Sequence, residues 1–278
     1  MKKILVTGGC GQLAKSFKSL FDDSYKLFVL DKKKLDITNI KQIEHFIKKN
    51  EPDIIINLAA MTNVDGCERD IDLAYKINGL SIKNFSQFFK GLFIQVSTDY
   101  VFDGYNGPYS ETANTNPLSI YGKSKLLGEE IVRDNFKDYL ILRTNILFDL
   151  SSKASFLSWV VESLSNGKNI NVVNDQINNP VFTDDMSRYI NFLIEKKMNG
   201  IFHIGSDTIC SRYEFACMIA EIWNLDMSKI KPISTKDLSM QLDSYLAERP
   251  LNSGLITEFL DMPAISLKDS LIQLSKSN

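Results

Sequence analysis

Apolar residues in the first half of the chain fall into short unbroken runs, separated by longer stretches in which they recur with helical spacing. The runs at 3–7 (KILVT), 26–30 (KLFVL), 53–57 (DIIIN), 92–97 (LFIQVS) and 139–144 (YLILRT) have no alternating polar face. A strand reads this way when helices cover both sides of its sheet. The stretches between them, at about 12–21, 39–49, 70–89 and 118–135, carry helical periodicity and start near capping or turn residues. This alternation predicts βαβ units around a parallel sheet, an α/β fold of the Rossmann-type doubly wound kind.

Past Asn145 the rhythm loosens. A helix at about 154–166 leads to NINVVNDQINNP, a strand followed by an asparagine-rich loop that Pro180 closes. The helical stretch 183–196 and the run 200–205 (GIFHIG) read as a return to the sheet, and Ser211 with Glu214 forms a capping-box pattern that opens a helix through Trp223. The expected organisation is a dinucleotide-binding domain of residues 1–149 plus about 181–205, with a smaller C-terminal substrate-binding domain of about 150–180 plus 206–278. No repeat, low-complexity tract or long linker interrupts it.

Composition narrows the function classes. The 278 residues are 44% apolar, enough for a buried core, and 34 acidic against 32 basic side chains leave a net charge of −2. Without a basic stripe, nucleic acid is not expected as a partner. The longest apolar stretch, IIINLAA at 54–60, is far below the roughly 20 residues of a membrane span, so no membrane association is expected. The opening MKKILVTGG lacks the features of a signal peptide, and the expected location is the cytoplasm. Cys10, Cys67, Cys210 and Cys217 form no CxxC pair and read as reduced thiols; His45 and His203 read as packing or surface residues, and no metal is expected. Lys32 to Lys34 read as a solvated loop.

Two local patterns carry chemistry. TGGCGQLA, between the first strand and first helix, brings Gly8, Gly9 and Gly11 to a turn where a missing Cβ lets a pyrophosphate approach the amides at a helix N-terminus; Gln12 and Leu13 open that helix. Asp31, at the end of the second strand, stands where dinucleotide-binding folds place a ribose-binding carboxylate. That carboxylate favours NADH, whereas Lys32 to Lys34 could pair with a 2′-phosphate, so the expected cofactor is NADPH or NADH. In the second pattern Tyr121 and Lys125 are four residues apart on one helical face. Their helix follows a strand that delivers Ser97, Thr98 and Asp99 at its carboxyl end, the ligand side of an open α/β sheet. A phenol is a poor acid at neutral pH, and an adjacent ammonium would stabilise its phenolate. Thr98 could hydrogen-bond a substrate oxygen, completing a Thr98–Tyr121–Lys125 triad for carbonyl reduction.

The turn Gly8-x-x-Gly11-x-x-Ala14 resembles that of the extended short-chain dehydrogenase/reductases. The segments STDYVFDG (97–104), YGKSKLLGE (121–129), NDQ (174–176) followed by Pro180, and ERPLNSGL (248–255) resemble, in order and spacing, the dTDP-4-dehydrorhamnose reductase family. The resemblance implies hydride transfer from a nicotinamide cofactor to C4 of a 4-keto deoxysugar on a nucleoside diphosphate. It implies cofactor contacts at Asp36 and Ile37 beside adenine and at Leu58, Ala59 and Ala60 after the third strand, besides Tyr121 and Lys125. It also implies substrate contacts at Thr98, Asp99, Tyr100, Asn174, Gln176, Arg249 and Asn252, with Arg249 suited to grip diphosphate oxygens. The sequence departs from the family at Ile146 and Leu147, Asn178, Val181 and Gly254, all on the substrate side. The magnesium-binding glutamate of some members is absent from AKSF at 14–17. Two alternatives stand beside this reading: a sugar-nucleotide epimerase, and a non-catalytic regulatory subunit like that of methionine adenosyltransferase. The oligomeric state stays open, with a homodimer as the candidate.

Overall fold

The structure is a computed structural model and describes residues 1–21, 25–151, 155–242, 245–257 and 264–276. The first half runs β1 (Lys2–Val6), α1 (Gln12–Leu20), β2 (Tyr25–Val29), α2 (Ile40–Asn50) and β3 (Ile54–Asn57). It continues through α3 (Val64–Arg69), α4 (Ile71–Tyr75), α5 (Ile82–Ser86), β4 (Leu92–Thr98), α6 (Ile120–Asn135) and β5 (Tyr139–Thr144). The second half holds β6 (Leu147–Phe148), α7 (Phe156–Ser165), β7 (Ile170–Val173), β8 (Ile177–Asn178), β9 (Val181–Phe182), α8 (Thr183–Glu195) and β10 (Gly200–Ile204). Last come β11 (Cys210–Ser211), α9 (Arg212–Ile222), β12 (Ile230–Ile233), α10 (Thr235–Gln241) and α11 (Leu267–Lys276).

Six strands form one parallel sheet in the order β10-β5-β4-β3-β1-β2. Successive residues of each strand serve opposite layers. Ile4 and Val6 pack with Phe17 of α1 and Met186 and Ile190 of α8, whereas Leu5 and Ile55 pack with Ile43 of α2, Phe85 of α5 and Phe93. Both faces are therefore covered, which explains the unbroken apolar runs, and each fully buried side chain of this kind contributes about 1.5–3 kcal/mol. The return of β10 to the sheet beside β5, expected from GIFHIG, is observed. So is the Ser211–Glu214 capping box at the start of α9.

The stretch 70–89 differs from the single helix expected. It divides into α4 and α5 around a π-helical turn at Lys76–Leu80, and α3 precedes it. Close packing against α6 accompanies the widening: a Cβ on Gly128 would lie 2.5 Å from the Asn78 carbonyl oxygen, and one on Gly79 would lie 2.8 Å from Leu127. Periodicity cannot register a one-residue insertion made for a neighbouring helix.

The second half builds another apolar cluster, with Phe148, Leu157, Val160, Ile170, Phe215, Ile219, Leu267 and Leu271. Three two-stranded ladders, β7–β12, β8–β11 and β6–β9, run beside it. Helix α7 starts at Phe156; position 154, where the sequence pattern placed its start, lies outside the described residues. No helix among the described residues is long and apolar enough to cross a membrane.

Candidate active site

Strand order reverses between β1 and β3, and this switch point is where open α/β sheets leave a ligand crevice. A row of buried polar groups shapes it. The Thr7 hydroxyl donates to Asn57 Oδ1 (2.6 Å) and accepts from the amides of Leu58 and Ala59 (3.2 Å each), while Asn57 Nδ2 donates to Gln95 Oε1 (2.8 Å). Gly8 follows with φ +68°, and a Cβ there would stand 2.9 Å from Ala59 N. Gly11 is the N-cap of α1 and supplies no side-chain cap, so the first amides of the helix remain open to an anion. Ala14, at the third glycine position of the motif, is fully buried in the core against the sheet, so its methyl fits the helix–strand contact.

Two joined cavities follow the crevice. One, of about 450 Å³, is lined by Gly8, Gly11, Asp31, Asp36, Ile37, Leu58, Ala59 and Ala60; the other, of about 430 Å³, by Gly8, Gly11, Gln12, Leu13, Thr98, Tyr121 and Lys125. All the residues expected to contact cofactor thus line one continuous groove. Lys32 and Lys33 line it too, beside Asp31, while all three lysines of the run are exposed, as its charge suggested. The Lys34 amide donates to Asp31 Oδ1 (3.0 Å) and is the main influence holding that carboxyl below its usual range. Gln12 Oε1 is buried without a partner. The glycine cradle, the uncapped helix start and this orphan acceptor fit a dinucleotide.

At the far end Thr98 closes β4, and its Oγ1 accepts from the Tyr100 amide (3.2 Å). Tyr121 is presented by the first turn of α6, whose N-cap Ser119 accepts from the Gly122 amide. One turn on, Lys125 is 4% exposed and its Nζ donates to the Val96 carbonyl (2.5 Å). Burial brings the Lys125 ammonium down to about 8, against the pull of Glu129. The Tyr121 phenol is pushed up by burial, with the Thr98 hydroxyl drawing it back in part. The sequence alone suggested a phenol lowered by Lys125; in the fold desolvation wins.

The remaining residues expected to touch substrate line neither cavity. Tyr100 packs edge-on against Tyr121 at 5.5 Å. Arg249 stacks over Tyr245 (3.7 Å) and pairs with Asp65 of α3 (2.7 Å). Burial works against the Asp65 charge, but the bonds from Arg249 and the Ala247 and Leu246 amides outweigh it and hold the carboxyl low. The fork expected to grip a diphosphate is therefore already partly engaged. Gln176 Nε2 donates to Tyr245 Oη (2.9 Å) and Thr235 Oγ1 (3.0 Å), which puts it in the same group of side chains. Asn252 ties down the loop between β4 and α6 by donating Nδ2 to the Gly107 carbonyl (3.0 Å), and Asn174 is exposed beyond β7. Asp99 is buried, its oxygens accepting from Thr98 Oγ1 (3.1 Å) and Ser253 Oγ (2.5 Å).

Several groups around the site escaped the sequence reading. Glu129, inside the motif that contains Lys125, forms a buried ion pair with Arg143 of β5 (2.7 Å) and accepts from Ser97 Oγ (2.5 Å). Arg143 lies over the Phe102 ring (5.2 Å) and its Nη1 donates to His203 Nε2 (3.5 Å); His203 Nδ1–H donates to the Tyr109 carbonyl (3.2 Å). Spacing gave a partial signal for Glu129, one turn beyond Lys125, but none for its partners on other strands.

Comparison with known proteins agrees with this geometry. The sequence matches the RmlD substrate binding domain family over residues 1–268. The spore coat polysaccharide biosynthesis protein SpsK of Bacillus subtilis (strain 168) is 36% identical over 242 residues, 85% of this chain and 84% of that protein. A dTDP-4-dehydrorhamnose reductase of Aggregatibacter actinomycetemcomitans is 33% identical over 92% of this chain and 90% of its own. Among solved structures, dTDP-4-dehydrorhamnose reductase from Bacillus anthracis str. Ames in complex with NADP superposes with a TM-score of 0.94 at 32% identity, with 100% of both chains covered. With a family match over residues 1–268, a fold match over the whole chain, and a groove that fits a dinucleotide, this chain belongs to the RmlD family, that of the dTDP-4-dehydrorhamnose reductases.

Proposed function

We propose that the protein reduces the 4-keto group of a nucleoside-diphosphate deoxysugar with NADPH or NADH, in the synthesis of a surface polysaccharide. The observation that carries the reading is the placement of Thr98, Tyr121 and Lys125 around the end of the groove that begins at Gly8 and Gly11. A bound reduced nicotinamide supplies the hydride. The chain supplies the rest: Tyr121 donates a proton to the carbonyl oxygen, Thr98 holds that oxygen, and Lys125 offers a cation to the phenolate that results. A buried, unionised phenol is in the protonation state that a donor requires. Beyond the reacting end, Tyr100, Gln176 and Arg249 are the groups we assign to the sugar and diphosphate, with Arg249 exchanging part of its hold on Asp65 for phosphate oxygens. The reading carries with it work in the cytoplasm and a homodimer, which light scattering would test.

The test offers NADH and NADPH with a panel of nucleoside-diphosphate 4-keto sugars and follows loss of reduced-nicotinamide absorbance. Turnover is expected, and Tyr121→Phe should lower kcat by about 10²–10⁴-fold while cofactor affinity, from fluorescence titration, stays near wild type. Cofactor binding with no turnover on any sugar would instead make the chain a binding subunit.

A further inference from the structure

Asp99 has no place in the mechanism so far. It sits just past β4, 3% exposed, with one oxygen against the Thr98 hydroxyl (3.1 Å) and the other against the Ser253 hydroxyl (2.5 Å). The titratable and charged groups that face it are Tyr121 from α6, its neighbour Tyr100, and Arg212 from the start of α9. No ion pair to it occurs among the described residues. Both contacts are hydroxyls, which can donate or accept. The direction of the Thr98 bond is therefore set by whether Asp99 carries a proton.

With Asp99 ionised, Thr98 spends its only proton on the carboxylate. Its oxygen then only accepts, from the Tyr100 amide, and Thr98 has no proton left to offer the Tyr121 oxygen, so the bond that eases the phenol's ionisation is lost. With Asp99 protonated, the carboxyl donates to Thr98, the Thr98 proton turns to the Tyr121 oxygen, and the phenol proton is released toward the substrate. We propose that Asp99 is a positioning residue of the reductase site that stores a proton and passes it through the Thr98 hydroxyl to Tyr121. In one turnover the carbonyl carbon gains hydride from the reduced nicotinamide and the C=O π pair goes to oxygen, which takes the phenol proton. The phenolate takes the proton of Thr98, and Thr98 takes that of Asp99. One ketone becomes one alcohol, the nicotinamide is oxidised by two electrons, and Asp99 is left as a carboxylate that reloads from solvent. Burial, which raises the Asp99 carboxyl to about 6, keeps the stored proton available near that pH.

The inference rests on the reductase reading, so its test has a part that needs no turnover. In the cofactor-free protein, infrared difference spectra should show a protonated-carboxyl band that titrates near pH 6 and disappears in Asp99→Asn. In turnover, a plot of kcat against the deuterium fraction of the solvent should curve for the wild type, as several protons move together, and become linear in Asp99→Asn. Ser253→Ala removes a donor that favours the carboxylate, and should move both the band and the alkaline limb of kcat upward by about half a unit to one unit. An unmoved limb in Ser253→Ala, retained curvature in Asp99→Asn, or no carboxyl titrating near pH 6 would overturn the proposal. Absence of wild-type turnover on every sugar would defeat the reductase reading instead, with the infrared titration still deciding whether Asp99 holds a proton.

Discussion

A methyl group at Gly8 would stand 2.9 Å from the backbone of Leu58 and Ala59, and its φ of +68° is one that other residues adopt only under strain. Gly8→Ala should cost about 1–2 kcal/mol from the left-handed backbone alone, seen as a lower urea midpoint, and should abolish measurable cofactor binding because the third-strand loop must shift out of the groove. Retained affinity in a folded Gly8→Ala protein would argue that the pyrophosphate lies elsewhere. Lys125 shows the other side of residue-scale reasoning. Its i, i+4 relation to Tyr121 was plain in the sequence, yet its protonation and its bond to the Val96 carbonyl depend on burial that no spacing reports.

Elements matter here because α6 carries both Tyr121 and Lys125 and is anchored from below. Its Glu129 pairs with Arg143 of β5 where the two side chains are 1% and 4% exposed. A buried pair of this kind stabilises little relative to an apolar replacement, but removing one partner strands the other charge. Glu129→Ala should therefore lower stability by about 3–5 kcal/mol in chemical denaturation, and pairing it with Arg143→Met should recover part of the loss. A single-mutant cost well under 1 kcal/mol would mean that water or another group neutralises Arg143. The π-helical turn at Lys76–Leu80 belongs to the same scale, since it brings Asn78 to donate to the Ser124 hydroxyl (3.0 Å) and accept from the Met61 amide (2.8 Å), joining α6 to the groove wall.

For the whole molecule, the pH dependence on the acid side includes two buried groups of opposite sign. His203 is lowered to about 3, by burial first and by the Arg143 cation second. The unfolded chain takes up that proton below pH 6.5 and the folded one does not until about 3, so this contribution is present above 6.5 and is lost as pH falls toward 3. Asp99, raised to about 6, works the other way: the fold retains a proton that the unfolded chain releases above 3.8, so its contribution is present below 3.8 and lost as pH rises through 6. The His203 displacement is the larger, and His203→Gln should show a smaller fall in urea midpoint between pH 7 and pH 4 than the wild type. An equal fall in both proteins would place the acid sensitivity in other groups.

How much of this was legible before the fold was known depends on range. Strand runs such as IIIN and LFIQVS, the glycine turn, Asp31 and the Tyr121–Lys125 spacing were set by neighbours within a few residues, because a pleat, a helix turn or a positive φ is a local demand on side chains. The same local code missed the π-helical turn, where the competing demand came from α6. Tertiary structure alone decided which distant groups meet: Ser253 with Asp99 across 154 positions, and Arg249 with Asp65 across 184. Hydrogen bonds and ion pairs of that kind depend on where loops return and on how deeply both ends are desolvated. The chain's own pattern thus determined the sheet, the glycine turn and the spacing of the side chains proposed to react, while burial in the assembled fold decided their protonation and their partners.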